Sequence, residues 1–222
     1  MQNDNLHITA DGSHTLYSEV HNAYYHSLNG ALTESLHIFI DAGYLFISNQ
    51  FNQISILEVG LGSGLNAALT AKESSELAIQ TEYTAIELYP ISKQQIANLN
   101  YNQILASGVA EFWINIMLAE WGGFVTINDY FNVIKLNSDF TKWVPDKTFN
   151  LIYFDAFAPE DQPEMWSAEM FQKLYDALSV GGVLVTYSSK GIVKQALRSV
   201  GFKVERLAGP PGKRHILRAV KG

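Results

Sequence analysis

Apolar residues in this chain come in short continuous runs separated by stretches with helical periodicity. The runs at 54–59 (I-S-I-L-E-V), 83–86 (Y-T-A-I), 132–136 (N-V-I-K-L), 151–154 (L-I-Y-F) and 183–188 (V-L-V-T-Y-S) have the length and density of strands buried on both faces. Helices are predicted between and after them, over 65–73, 90–100, 167–178 and 192–200, with Gly181-Gly182 closing the third. Strand and helix in alternation predict an α/β unit on a mostly parallel sheet. Two further strands at 202–207 and 215–220, joined by G-P-P-G-K-R, predict a terminal antiparallel hairpin. Ahead of the first strand, a helix over 30–41 would turn Leu32, Leu36 and Phe39 to one face. Residues 1–29 read as an arm or small hairpin, with D-G-S at 11–13 as a turn. Only 101–131 breaks the rhythm. Its aromatics, Phe112, Trp113, Trp121, Phe124, Tyr130 and Phe131, predict an inserted helix and loop packed over the sheet.

Chemistry concentrates where these strands end. E-V-G-L-G-S-G-L-N follows the first strand and opens a helix, so Gly60, Gly62 and Gly64 permit a tight turn and close backbone approach to a ligand. Glu87, ending the second strand, suits hydrogen bonding to ribose hydroxyls, and the combination points to a nucleoside-containing cofactor. A nicotinamide dinucleotide and S-adenosylmethionine (AdoMet) both fit such a turn. Glu58 just before it favours AdoMet, because a carboxylate suits a cationic sulfonium with an amino-acid tail and repels a pyrophosphate. Asn66 at the helix start is counted with the cofactor-binding residues, and Asn137-Ser138-Asp139 ends the third strand in groups able to bond an adenine amino group. Asp155 stands at the mouth of the fourth strand, beside Phe157-Ala158-Pro159, where chemistry collects in parallel sheets. An isolated aspartate there would as readily cap the next helix.

Composition narrows the setting. A length of 222 residues suits a single domain, expected to span 1–222 with 1–41 as arm and helix. There are no cysteines, which excludes disulfides, thiolate metal sites and cysteine nucleophiles. No apolar run is long enough to span a bilayer and no secretory leader is visible, so a cytoplasmic protein is expected. His14, His21, His26 and His37 have no metal-ligand spacing, and no metal is expected. The net charge of −7 hides a polarity: residues 190–222 balance at +8 and the remainder at −15. Lys190, Lys213 and Arg214 are therefore candidate contacts to an anion such as a phosphate backbone, against the alternative of a solvated helix and hairpin. Tyr17, Tyr24 and Tyr25 could reach the site if the arm folds back. Glu34 could do so too, although a surface position on its helix is the simpler expectation.

Several segments together resemble one family. E-V-G-L-G-S-G-L-N, D-A-F-A-P-E-D-Q-P-E-M-W, G-G-V-L-V-T-Y-S-S-K-G, G-F-K-V-E-R and G-P-P-G-K-R-H-I-L are similar to the methyltransferase domain of the bifunctional tRNA 5-methylaminomethyl-2-thiouridine biosynthesis proteins (MnmC). D-G-S-H-T-L-Y-S and Y-H-S-L-N-G-A-L-T-E-S resemble stand-alone relatives of that domain. The resemblance implies a Rossmann-like class I AdoMet-dependent methyltransferase fold: a seven-stranded, mostly parallel sheet with a C-terminal hairpin and an N-terminal extension. It implies methylation of the aminomethyl group on a tRNA wobble uridine, with Gly60, Gly62, Gly64, Glu87 and Asp139 lining AdoMet and Asp155 facing the amine. Phe157 and Trp166 would then be placed to stack on the uracil ring. MnmC proteins carry a second, flavin-dependent oxidoreductase domain for which 222 residues leave no room, so another route must supply the aminomethyl group. A small-molecule amine or carboxylate methyltransferase, and a non-catalytic AdoMet-binding protein, stay open as alternatives. Oligomeric state is not legible.

Overall fold

The structure, a computed structural model, describes residues 6–222; the first five residues of the 1–41 arm lie outside the described residues. Five strands form the parallel centre: β4 (Gln53–Val59), β5 (Gln80–Glu87), β7 (Phe131–Asn137), β8 (Phe149–Phe154) and β9 (Leu178–Thr186). The hairpin β10 (Lys203–Ala208) and β11 (His215–Val220) joins antiparallel beyond β9, as expected. The sheet has eight strands, not seven, in the order β10-β11-β9-β8-β4-β5-β7-β6. The additional one, β6 (Phe124–Asn128), pairs antiparallel with β7 from inside the segment expected to be an inserted helix and loop. Its sequence F-V-T-I-N alternates weakly because it is an edge strand, mostly half-exposed.

Strand side chains alternate between two cores. Ile54 and Ile56 of β4 and Leu151 and Tyr153 of β8 enter one; Leu57, Val59, Ile152 and Phe154 enter the other. The first core is covered by α3 (Leu65–Leu77), α6 (Ser107–Leu118) and the N-terminal helix. The second is covered by α7 (Ala168–Ala177) and α8 (Gly191–Ser199). With both faces covered, the strands need no polar face, which is why they read as continuous apolar runs.

The N-terminal helix runs past its expected end. It starts as α1 (Ala31–Ser35), continues in π geometry over Leu36–Tyr44 and finishes as α2 (Leu45–Ile47). The wider winding rotates the expected face: Phe39 is buried, Leu32 only partly, and Leu36 is exposed, while Ile38 and Ile40 go inward. Gly43 lets this helix lie on the sheet, since a Cβ there would stand 3.1 Å from both the Tyr153 ring and Val185. The helix expected over 90–100 is two short pieces, α4 (Lys93–Asn98) and α5 (Tyr101–Ile104). A capping box starts the first, the Ser92 side chain accepting from the Gln95 amide and the Gln95 side chain from that of Ser92. Gly181-Gly182 do not end a helix. They lie inside β9, where Gly181 N–H donates to Lys221 O at 2.9 Å and Lys221 N–H to Gly182 O at 3.0 Å.

Before the helix, β1 (Leu6–Ile8), β2 (His14–Ser18) and β3 (Ala23–Tyr24) form a small antiparallel sheet, with the expected turn at 11–13. That turn caps the helix. Asp11 Oδ2 accepts from the Thr33 amide and hydroxyl, both at 2.9 Å, and a Cβ on Gly30 (φ 137°) would sit 2.4 Å from it. Burial alone would raise the Asp11 carboxyl; hydrogen bonds from Ser13, Thr33 and Thr9 overcome that and hold it at about 2.

Phe154, fully buried against Phe140, Trp166 and Phe171, ties β8 to its helical cover. Phe154→Ala is expected to destabilise the fold by about 3–5 kcal/mol. Denaturant unfolding checks this; a loss under about 1 kcal/mol would show that the cluster is loosely packed.

Candidate active site

The three glycines of the first strand turn all have positive φ, 91°, 50° and 75°, yet they serve different ends. Gly60 lets β4 and β8 converge: a Cβ there would lie 2.5 Å from the Asp155 backbone oxygen. Gly64 begins α3, and a Cβ would collide with Met117 Sδ at 2.3 Å, so it serves helix packing and stands off the cavity. Gly62 faces open space across from Tyr25, whose Cδ1 would be 3.0 Å from a Cβ. Gly62 N–H donates to Glu87 Oε2 at 3.0 Å, and Tyr89 N–H to Oε1 at 2.9 Å. Glu87 is thereby fixed at the end of β5 on the wall of a cavity of about 580 Å³, a size suited to a nucleoside ligand.

Asp139 lines the same cavity beyond β7, its Oδ1 accepting from the Thr141 amide and hydroxyl at 2.9 and 2.6 Å. The Thr141 hydroxyl and Lys142 hold this carboxyl below its ordinary value. Asn137 turns aside, its Nδ2 donating to Glu87 O and Leu88 O.

Glu58 does not meet the cavity. It is fully buried beneath the turn, where Asn66 Nδ2 donates to its Oε1 at 3.0 Å. Burial raises its pKa well above the usual carboxylate range despite that bond, a direction that disfavours the charged form, and the side chain lies off the cavity where a sulfonium would sit. Asn66 also lies below the wall; its Nδ2 donates to Asp155 Oδ2 at 3.0 Å and so joins the two carboxyl groups.

Asp155 reaches the cavity from the end of β8, its amide donating to Val59 O at 3.0 Å. Burial, then the nearby negative Glu34, push its carboxyl up to about 8; Asn66 and Lys213 oppose the rise and Glu87 adds to it. Phe157 presents a ring there, stacked on His21 at 4.2 Å between centroids. Trp166 offers no face for a uracil. It is buried, its Nε1 donates to Phe157 O at 2.8 Å, and its ring packs edge-on to Phe154 and Tyr187. It braces Phe157 from behind.

The N-terminal segment closes over the cavity. Tyr24, Tyr25 and His26 line it, whereas Tyr17 is spent on Asn22 and the Tyr24 ring. His26, buried and bonded through Nε2 to Ser63 Oγ at 2.8 Å, has its pKa lowered chiefly by burial. Glu34 is not a surface residue: 7% exposed, it lines the cavity and pairs with Lys213 at 2.7 Å. Lys213 is thus turned inward, its Nζ 4.8 Å above the Tyr187 ring, and is no outward phosphate contact. Tyr187, whose hydroxyl donates to Ala156 O at 2.9 Å, is a cavity residue that the sequence concealed inside a strand-end Y-S-S. Lys190 pairs with Glu160, while Arg214 stays exposed on the hairpin turn. Among the described residues no group of three or more His, Cys, Asp and Glu could hold a metal ion, and no helix is long and apolar enough to cross a membrane.

A glycine cradle, a strand-end acid on its amide and a cavity of nucleoside size are what a nucleoside cofactor needs. Residues 112–222 match a family described as S-adenosyl-L-methionine-dependent methyltransferase. The chain belongs to this family. AdoMet is its cofactor, and the residues around Gly62, Glu87 and Asp139 fit it. The methyltransferase is 28% identical over 213 residues to the tRNA 5-methylaminomethyl-2-thiouridine biosynthesis bifunctional protein MnmC of Idiomarina loihiensis, covering 87% of this chain and 34% of that protein. It is 29% identical to the Pseudomonas fluorescens MnmC, covering 90% and 32%. The chain spans about a third of the length of these curated relatives. The crystal structure of MNMC2 from Aquifex aeolicus matches with a TM-score of 0.81 and 26% identity over 99% of this chain and 71% of that one. Spermidine synthase from Thermotoga maritima, at 15% identity and a TM-score of 0.54, shares the fold alone.

Gly62→Val would fill the gap below Tyr25 and strain a positive φ, so AdoMet binding by calorimetry is expected to vanish while cooperative melting persists. Glu87→Ala should weaken binding by about 1–3 kcal/mol. Wild-type affinity in both variants would place the cofactor elsewhere.

Proposed function

We propose that the methyltransferase transfers the AdoMet methyl group to the amine of a 5-aminomethyl group on a tRNA wobble uridine. The relatives named for this modification suggest the substrate. The observation that carries the reading to an amine is Asp155, a carboxyl of raised affinity for protons at the cavity wall beside the Phe157 ring. Bound AdoMet supplies an electrophilic methyl group on a cationic sulfur. Gly62, Glu87 and Asp139 would hold it, and transfer of its methyl group to an amine would require the nitrogen to give up one proton, which falls to the protein to accept.

An alkylamine with a pKa near ~10, by analogy with lysine, arrives as an ammonium without a lone pair. Its positive charge beside Asp155 favours the ionised carboxylate, which then accepts an N–H hydrogen bond and the departing proton. An ordinary carboxylate would be too weak a base for this; one raised toward 8 is better matched. Phe157 supports a flat base while Gly62 and Glu87 hold the donor, so positioning contributes at least as much as proton transfer. This reading assigns Asp155 as the catalytic residue, and Gly60, Gly62, Glu87 and Asp139 as the cofactor wall.

The tRNA body would dock on basic residues other than Lys213. The His215 pKa is lowered by desolvation and then by the positive charges of Arg206, Arg214 and Lys194, which lie near it on the hairpin side. Arg206→Ala with Arg214→Ala is expected to weaken tRNA binding and flatten its logarithmic salt slope by roughly one unit per lost contact, with AdoMet affinity unchanged. An unaltered slope would favour a small-molecule amine acceptor.

Asp155 also makes a prediction in pH. Only the ionised form takes a proton, so kcat/KM, which reports the free enzyme, should rise with pH through about 8, and kcat at a lower pH because the bound ammonium favours the carboxylate. Its folded pKa lies above the ordinary aspartate value of 3.8, so the folded state holds the proton more tightly and stability is lost as pH rises from 3.8 to about 8. Asp155→Asn lacks that loss. Its melting temperature relative to wild type should climb across this window, while methyl transfer falls at least about a hundredfold. Wild-type turnover in this variant at saturating substrate would make Asp155 structural.

A further inference from the structure

Glu34 and Lys213 form an ion pair inside the cavity, a position that surface charges do not occupy by chance. Two chain segments are built to bring them there. The turn at 11–13 fixes the start of α1 through Asp11, which sets Glu34 one turn into the helix with its amide on Gly30 O at 3.1 Å. On the other side, the turn between β10 and β11 packs so closely on the N-terminal segment that a Cβ on Gly212 would lie 2.1 Å from Asn29 Nδ2. Lys213 follows and is directed onto Glu34 Oε2 at 2.7 Å and over the Tyr187 ring.

The chemistry of this pair is informative. A lysine Nζ is a primary alkylammonium, the same group as a protonated aminomethyl substituent. The protein seats its own alkylammonium on a carboxylate and an aromatic face, both on the wall of the cavity that holds Asp155. Lys213 lies against Oε2, one of the two acceptor oxygens of the carboxylate. After burial, the charge of Glu34 contributes most to the rise of Asp155, so the two carboxyl groups are within electrostatic reach of each other.

We propose that Glu34 determines acceptor specificity: it receives the ammonium of the incoming amine and guides it to Asp155, with Lys213 holding the carboxylate in orientation. Neutral acceptors of the same shape, such as a hydroxymethyl group, lack the charge that this site selects. Lys213 is a positioning residue, its Nζ 2.7 Å from Glu34 Oε2. The inference rests on the proposed amine methylation and deepens it.

The test compares wild type, Glu34→Gln and Glu34→Asp with tRNA carrying 5-aminomethyluridine, and measures inhibition by the nucleosides 5-aminomethyluridine and 5-hydroxymethyluridine. Wild type is expected to methylate the tRNA and to bind the amine nucleoside at least about tenfold more tightly than the hydroxyl one. Glu34→Gln should raise KM for the tRNA about tenfold or more and abolish the amine preference, with AdoMet affinity retained. Glu34→Asp keeps the charge and should keep the preference, and it carries the test by itself if the Gln variant does not fold. Active wild type beside a Gln variant with unchanged KM and preference overturns the role of Glu34 alone, as does complete loss of preference in the Asp variant. A wild type that leaves the tRNA unmethylated overturns the proposed function and this assignment with it.

Discussion

The site depends on the convergence of β4 and β8 at their carboxyl ends. Gly60 has no side chain because the Asp155 backbone oxygen occupies that space, and the Asp155 amide is bonded to Val59 O. Asn66, at the first turn of α3, then ties the buried Glu58 to Asp155 with one amide group. Burial raises both carboxyl groups: Glu58 goes well above the usual carboxylate range beneath the floor, with the nearby Asp155 adding to the rise, and Asp155 goes up to about 8 at the wall, where the negative Glu34 adds to the effect of burial. A strand-end aspartate, ordinarily a weak base, acquires in this way an affinity for protons suited to an amine.

Around that junction the fold is arranged as a lid and a wall. The parallel strands end on one side of the sheet and supply Gly62, Glu87, Asp139 and Asp155. The N-terminal segment crosses above them, with Tyr24, Tyr25 and His26 facing down and His21 stacked on Phe157. The two ends of the chain meet there: α1 contributes Glu34 and the last hairpin Lys213, clamped by glycines at 30 and 212 that leave room for Asp11 and Asn29. Trp166 stiffens the opposite side by holding the Phe157 carbonyl. The basic residues of the C-terminal region accordingly divide. Lys213 pairs with the buried Glu34, Lys190 pairs with Glu160 at the surface, and Lys194, Arg206 and Arg214 lie around His215 on the hairpin side.

By itself the sequence determined the parallel centre, the glycine turn, the strand-end positions of Glu87, Asp139 and Asp155, and the closing hairpin. Each of these is written in adjacent residues: a strand buried on both faces reads as a continuous apolar run, and a tight positive-φ turn that another backbone approaches closely, as at Gly60, calls for glycine. What it left undecided depended on partners distant along the chain. β6 is an edge strand whose weak alternation matters only once β7 is beside it. The charge state of Glu58 follows from burial under Asn66 and Asp155, not from its place in the motif. Trp166 and Phe157 are both aromatic neighbours of a D-A-F-A-P turn, and packing alone turned one inward and left the other beside the cavity. Glu34 read as a surface helix residue because Lys213, some 180 residues later, is what makes its burial affordable. Local sequence specifies backbone geometry; the charge and orientation of a buried side chain are set by whatever the fold packs against it, and here only the tertiary structure decided that.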